Sequence, residues 1–397
     1  MHRSVTTLVT LVAVAALAGC AATAPDDATP TSHGADRHGQ VSGAQEVPEA
    51  PLALLSVDAE GAVGVTDLLD GDTTRLGGLS AAPEKLHTDG RYAFVTTAHG
   101  VEVIDSGRWT WDHVDHFHYY RAHPRLLGTV SGAGTARVAT GLMTTTGSTG
   151  IFFEGSGEAV LLPNEALAEG EIVESFRVAT GASRGLIAPL GDGALVAYGE
   201  RLVFYEGDGT ATHESVGCAE ASGAVTTHVG LVVGCREGVV LATWDRDAPA
   251  WELIAYPPGV SAERAVSFEG RKGRPTVAAV AGDDGFWLLD TRERTLRLIA
   301  TDAPLLRVAA VDDAHEHVVA LDAGGRVRVY AGGEETAVTE PVVGRGAPTA
   351  LTVDAQRAYV GDADAGIVRE IDFADGARVA RTIETVPAAE VFAEVGR

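Results

Sequence analysis

The 397-residue chain is poor in cysteine and in positive charge, and it has no apolar run long enough to cross a bilayer as a helix. Each shortage excludes something. Thirty basic residues against fifty-five acidic ones give a formal charge of -25, and such a surface repels phosphate backbones, which excludes nucleic acid as a partner. No stretch beyond the first twenty residues approaches the roughly 18 consecutive apolar residues of a transmembrane helix. Apolar stripes of helical period are absent too, which points away from helical architectures. The chain also lacks an EF-hand loop and any constellation of catalytic groups.

The three cysteines are Cys20, Cys218 and Cys235. The first closes an N-terminal pattern. His2 and Arg3 precede an apolar run from Val5 to Leu17, and Leu17-Ala18-Gly19-Cys20 follows. This is the layout of a secretory signal peptide, and its ending has the form of a bacterial lipobox. We expect a signal peptide over 1–19, with Cys20 lipidated and holding the protein at the outer face of the cytoplasmic membrane. An ordinary signal peptide with an unmodified Cys20 is the alternative. Sixteen residues separate Cys218 from Cys235, against two to four in a thiolate metal pair. In an oxidising compartment an even remainder favours a disulfide between them.

Residues 21–50 are rich in Ala, Asp, Thr, Ser, Gly and Pro, and their only large apolar residues are two valines. Such a segment buries too little to offset chain entropy, so 20–50 reads as a flexible, lipid-anchored linker. His33 and His38 sit in it.

From residue 51 to 397 the texture is constant. Short apolar phrases such as "LALLSVDAEG", "RYAFVTTAHG", "GLVVGCREG" and "RAYVGDADAG" end in Gly- or Asp-rich turns, and a second strand-like phrase follows each. They recur eight times at roughly 40 to 50 residues, the signature of an all-β fold built as a single β-propeller. Eight phrases suggest eight blades, with seven as the alternative. Propellers bind ligands where their loops converge, so function rests on loop residues.

One loop stands out. "WTWDHVDHFHYYRAHP" follows the strand-and-turn phrase "VEVIDSGR" and places four histidines within residues 113–123. In an extended segment His116 and His118 face the same way, about 6.5 to 7 Å apart. Two imidazoles so placed can share one ion at about 2 Å. His113 and Asp115 then face the other way, entering the site if the segment is looped, or Asp115 orients a ligating ring. Imidazole with carboxylate suits zinc, with copper and nickel behind it. The competing reading is a polar loop whose histidines hydrogen-bond at the channel mouth. "GASRG" (181–185) matches the G-x-S-x-G pattern, but strand-like phrases flank it where a nucleophile elbow needs a following helix. Ser183 therefore reads as a turn residue, and the protein as no enzyme.

The phrases "DGRYAFVTT", "GVEVIDSGRWTWDHVDHFHYYR", "APLGDG", "C…GCREGVVL" and "RAYVGDADAGIVREIDFADGARVARTIETV" resemble the AztD-type zinc metallochaperones. The likeness spans residues 85 to the C-terminus. These are exported β-propellers that pass zinc to the substrate-binding protein of an ABC importer, and members often carry a histidine-bearing N-terminal arm. The resemblance implies Zn²⁺ as cargo and such a binding protein as partner. It implies a metal site of His113, Asp115, His116 and His118, with His33 and His38 as an arm. Auxiliary or replacement ligands would come from His123, His213, His99 or His228, of which His213 and His228 flank the cysteine loop and are favoured. The chain departs from the family pattern at Ser183-Arg184-Gly185, where a His-His-Gly is usual, at Ser222 between the cysteines, and in having no histidine near its end. An Arg184 placed at the site would repel the ion. A relative that keeps the propeller as a surface interaction scaffold, without tight metal binding, is the competing functional class.

Overall fold

The computed structural model describes residues 39–112, 116–346 and 350–397. Among them the only α-helix is the short Asn164–Glu169, and no helix is long and apolar enough to cross a membrane. Apart from a short 3-10 turn at Gly282–Asp284, the rest is antiparallel sheet, turn and loop.

Central strands read as unbroken apolar runs because both of their faces are covered. Ala53–Val57 is buried at all five positions and Tyr92–Thr97 at all six. Outermost strands such as Thr73–Gly78 are largely exposed, and their sequence is polar. Eight of the nine sheets among the described residues follow one another along the chain, with three or four strands each. A buried apolar cluster joins every sheet to the next. Val63 and Val65 meet Val95 and Ile104; Phe94 meets Ile151 and Phe153; Phe152 meets Ile187; Leu195 meets Val233. Farther along, Val232 meets Trp287, Phe286 meets Val308, and Val319 meets Val360. Leu54 and Phe392 then pack on Tyr359 and Val368, joining the last sheet to the first. Every fully buried Val, Leu, Ile or Phe contributes roughly 1.5–3 kcal/mol. The closed succession is a β-propeller, the fold expected from the repeat.

The ring is fastened by its last strand. Val391–Val395 pairs antiparallel with Ala53–Val57, so one sheet is made from both ends of the described chain. A disulfide joins Cys218 and Cys235, both fully buried, with Cα atoms 5.0 Å apart. Its pairing agrees with the expectation from spacing.

The ninth sheet stands outside this pattern. Gly100–Asp105 and Arg125–Ser131 are paired neighbours, yet a hairpin of Arg108–Asp112 and Phe117–Arg121 is inserted between them. Gln45–Val47 adds a third strand to that hairpin. It lies within the segment read as linker, so ordered structure begins ahead of residue 51.

Candidate metal centre

The histidine cluster lies on this inserted hairpin. Its strands, "RWTWD" and "FHYYR", mix aromatic with polar residues, a composition suited to a half-covered pleated surface. Register places Trp109 opposite Tyr120, Trp111 opposite His118 and Asp112 opposite Phe117. Trp109 and Tyr120 stack with ring centroids 5.3 Å apart, and His118 lies 6.3 Å along the same row from Tyr120.

Several pins fix the base of the hairpin. Arg91 is buried and gives Asp105 two hydrogen bonds, of 3.0 and 2.9 Å, while its guanidinium carbon lies 3.9 Å from the Trp109 ring centroid. The Trp109 indole donates to the Gly39 carbonyl at 3.0 Å. Arg108 donates to Asp67 at 2.8 Å, and Arg121 stands 3.4 Å from the same carboxylate oxygen. Burial alone would raise the Asp67 pKa. The hydrogen bonds from Arg108 and the Leu69 amide and the charge of Arg121 outweigh it, holding Asp67 below the usual carboxylate range. Thr110 donates to the Gly396 carbonyl at 2.7 Å, tying the hairpin to the residue that follows the closing strand.

On this platform the Nε2 atoms of His116 and His118 approach to 2.9 Å, with ring centroids 4.8 Å apart. Nδ1 of His118 lies 2.7 Å from Glu46 Oε1. Glu46 reaches it because Gln45–Val47 pairs with Phe117–Arg121, with Glu46 opposite Tyr120. A carboxylate on Nδ1 fixes the proton there, so the His118 Nε2 lone pair faces His116.

Opposite stands His228, whose Nε2 is 3.7 Å from Asp112 Oδ2. His228 follows the innermost strand Ser222–Thr226 of another sheet, so the hairpin extends to a loop well beyond its own sheet. A Cβ at Gly273 would lie 2.9 Å from His228 Nε2, and Gly273 has φ +71°, so glycine there leaves room for the ring.

The other candidates are dispersed. His123 is exposed and follows Phe117–Arg121 at the end away from the loop. His213 is exposed on Ala211–Gly217, the outermost strand of its sheet. His99 lies in the turn between Tyr92–Thr97 and Gly100–Asp105, at the end of the sheet opposite the hairpin's exit. His113, Asp115, His33, His38 and Cys20 lie outside the described residues. Ser183 and Arg184 precede the innermost strand Leu186–Leu190. Since innermost strands run toward the hairpin's face of the ring, Arg184 sits at the far end, away from His116 and His118. Ser222 likewise begins its strand, with His228 beyond the other end.

Among the described residues no group of three or more His, Cys, Asp or Glu converges as a complete metal shell. What converges is two imidazole nitrogens with a carboxylate behind one of them. Sequence reasoning missed Glu46, which the linker assignment concealed, and Asp112, which adjoins the cluster.

No family model and no curated protein matches this sequence. Solved structures match in fold. AztD from Citrobacter koseri is similar with a TM-score of 0.73 and 19% identity, over 86% of this chain and 98% of that one. Apo AztD from the same organism gives 0.70 and 18%, over the same shares. The computationally designed protein Ika8 gives 0.53 and 14%, over 82% and 94%. The chain is a β-propeller with an AztD-like fold.

Proposed function

We propose that this protein holds zinc as exchangeable cargo on the inserted hairpin, passes it to the substrate-binding protein of a zinc ABC importer, and catalyses no reaction. The carrying observation is the approach of His116 and His118 Nε2 to 2.9 Å while Glu46 occupies His118 Nδ1. Two ring nitrogens on one tetrahedral ion lie slightly farther apart, about 3.3 Å at bonds of about 2.0 Å. A small rotation of either ring makes room for the ion. Zinc needs the Nε2 lone pairs of both rings, so protons compete with it for the site and binding tightens with rising pH. His113 and Asp115, three residues and one residue before His116, are proposed as further ligands. Asp112 with His228, and His33 and His38 on the N-terminal segment, are proposed as exchange partners. Ligands that leave one at a time suit transfer better than a closed four-ligand shell. Export behind a cleaved signal peptide and lipidation of Cys20 are part of this proposal.

A second reading rests on the absence of a complete shell among the described residues: a propeller scaffold without tight metal binding. Chelator competition decides between them. The zinc reading expects one tight equivalent in the mature chain, lost in the His116→Ala, His118→Ala double variant. Binding no tighter than micromolar, with the variant unchanged, would establish the scaffold instead.

A further inference from the structure

The spacing His-x-His occurs twice in the chain, at His116/His118 and at His315/His317. We propose that His315 and His317 form a second, weaker site for a divalent ion of the zinc class. The pair lies in "DDAHEH" (312–317), the turn between Leu305–Ala310 and Val318–Asp322. This turn follows an innermost strand, so it shares the ring face of His228 and the hairpin.

The local construction repeats that of the first pair. Asp313 Oδ2 lies 2.6 Å from His317 Nδ1, as Glu46 lies 2.7 Å from His118 Nδ1. The other oxygen of Asp313 accepts the amides of His315 and His317, at 3.2 and 2.9 Å, which fixes the carboxylate within the turn. With the proton directed to Nδ1, His317 Nε2 carries the lone pair.

Ring centroids of His315 and His317 are 5.6 Å apart. Two imidazoles on one tetrahedral ion place their centroids about 5 Å apart, so a modest rotation of His315 closes the site. That ring is exposed and makes no side-chain hydrogen bond among the described residues, whereas His317 is held against Phe373 at 5.3 Å. One ring is fixed and one is free to close.

The neighbouring cations do not oppose binding. Arg274 and Arg292 are engaged by Asp312 at 2.9 and 2.6 Å. Arg297 faces Glu316 at 3.6 Å, and Asp290 adds a further carboxylate 3.3 Å from Arg292. Arg271 is a fourth arginine here and faces Asp312, Asp313 and Asp354, so the carboxylates match the four arginine charges. Two protein ligands with water completing the shell give a weak, fast-exchanging site, in keeping with the absence of a three-ligand group among the described residues.

Zinc stoichiometry on the mature chain tests this independently of the hairpin reading. Zn²⁺ titration by calorimetry on His315→Ala, His317→Ala should show loss of one micromolar-class equivalent, with binding lost in His116→Ala, His118→Ala still present. His315→Ala alone, which removes an exposed ring with no hydrogen bond and leaves the fold intact, should weaken that equivalent at least tenfold. Unchanged stoichiometry and affinities in both the double and the single variant would overturn the second site while leaving the hairpin site to its own test.

Discussion

Glu46 is separated from His118 by 72 positions and by strands of two sheets of the ring. Its carboxylate decides which nitrogen of that imidazole can meet a metal. Replacing the charge while keeping the shape, Glu46→Gln, should weaken zinc binding roughly 10- to 100-fold, the usual effect of removing such an orienting partner. Chelator competition would read this, and an affinity equal to wild type would remove Glu46 from the mechanism. The pairing of His116 with His118 was legible because a strand has a fixed period of two, whatever surrounds it. Glu46 was not, because its role depends on register between two distant strands, and the composition around residue 46 gave no sign of a strand. Arg184 shows the converse. Its charge was plain in the sequence, while the end of the strand on which it sits was not.

At the scale of elements, the inserted hairpin is held by its root. Trp109 is fully buried between the Arg91 guanidinium and Tyr120, with its indole nitrogen bonded to Gly39. Trp109→Ala should cost about 3–5 kcal/mol, and amide exchange should speed up over Phe117–Arg121 ahead of the sheets on either side. Urea unfolding with hydrogen exchange checks both. A loss below about 1 kcal/mol would show that the other anchors suffice without the indole. The strands of the ring could be read from apolar phrases and turn residues. The insertion could not, since "RWTWD" and "FHYYR" flank a histidine-rich stretch that reads as one polar loop rather than as a hairpin of two paired strands. Nothing local states that Gly100–Asp105 skips both of them to pair with Arg125–Ser131.

Over the whole molecule, the closing strand carries an unusual group. Glu394 on Val391–Val395 is fully buried, with Arg397 3.1 Å away. Burial, opposed by Arg397 and reinforced by Asp354, pushes its carboxyl up to about 8. In the unfolded chain it ionises near 4.3. Between these values the unfolded state has released a proton that the folded state keeps, so this group's contribution to stability falls as pH rises through the window and levels off above it. Glu394→Gln should therefore raise the melting temperature relative to wild type more at pH 8 than at pH 5. An equal difference at both pH values would show that Glu394 does not titrate as its surroundings require. The repeat made the ring legible, but not its fastening, because no local pattern reveals that Val391–Val395 belongs beside Ala53–Val57. That junction also sets a timetable. A chain made from its N-terminus leaves one edge of Ala53–Val57 open, ready to pair with any stray strand, until Val391–Val395 has been synthesised. Thr110 of the hairpin likewise waits for Gly396. Seating of the inserted hairpin is thereby coupled to synthesis of Gly396, and before that its histidines stand on a platform that is not yet secured.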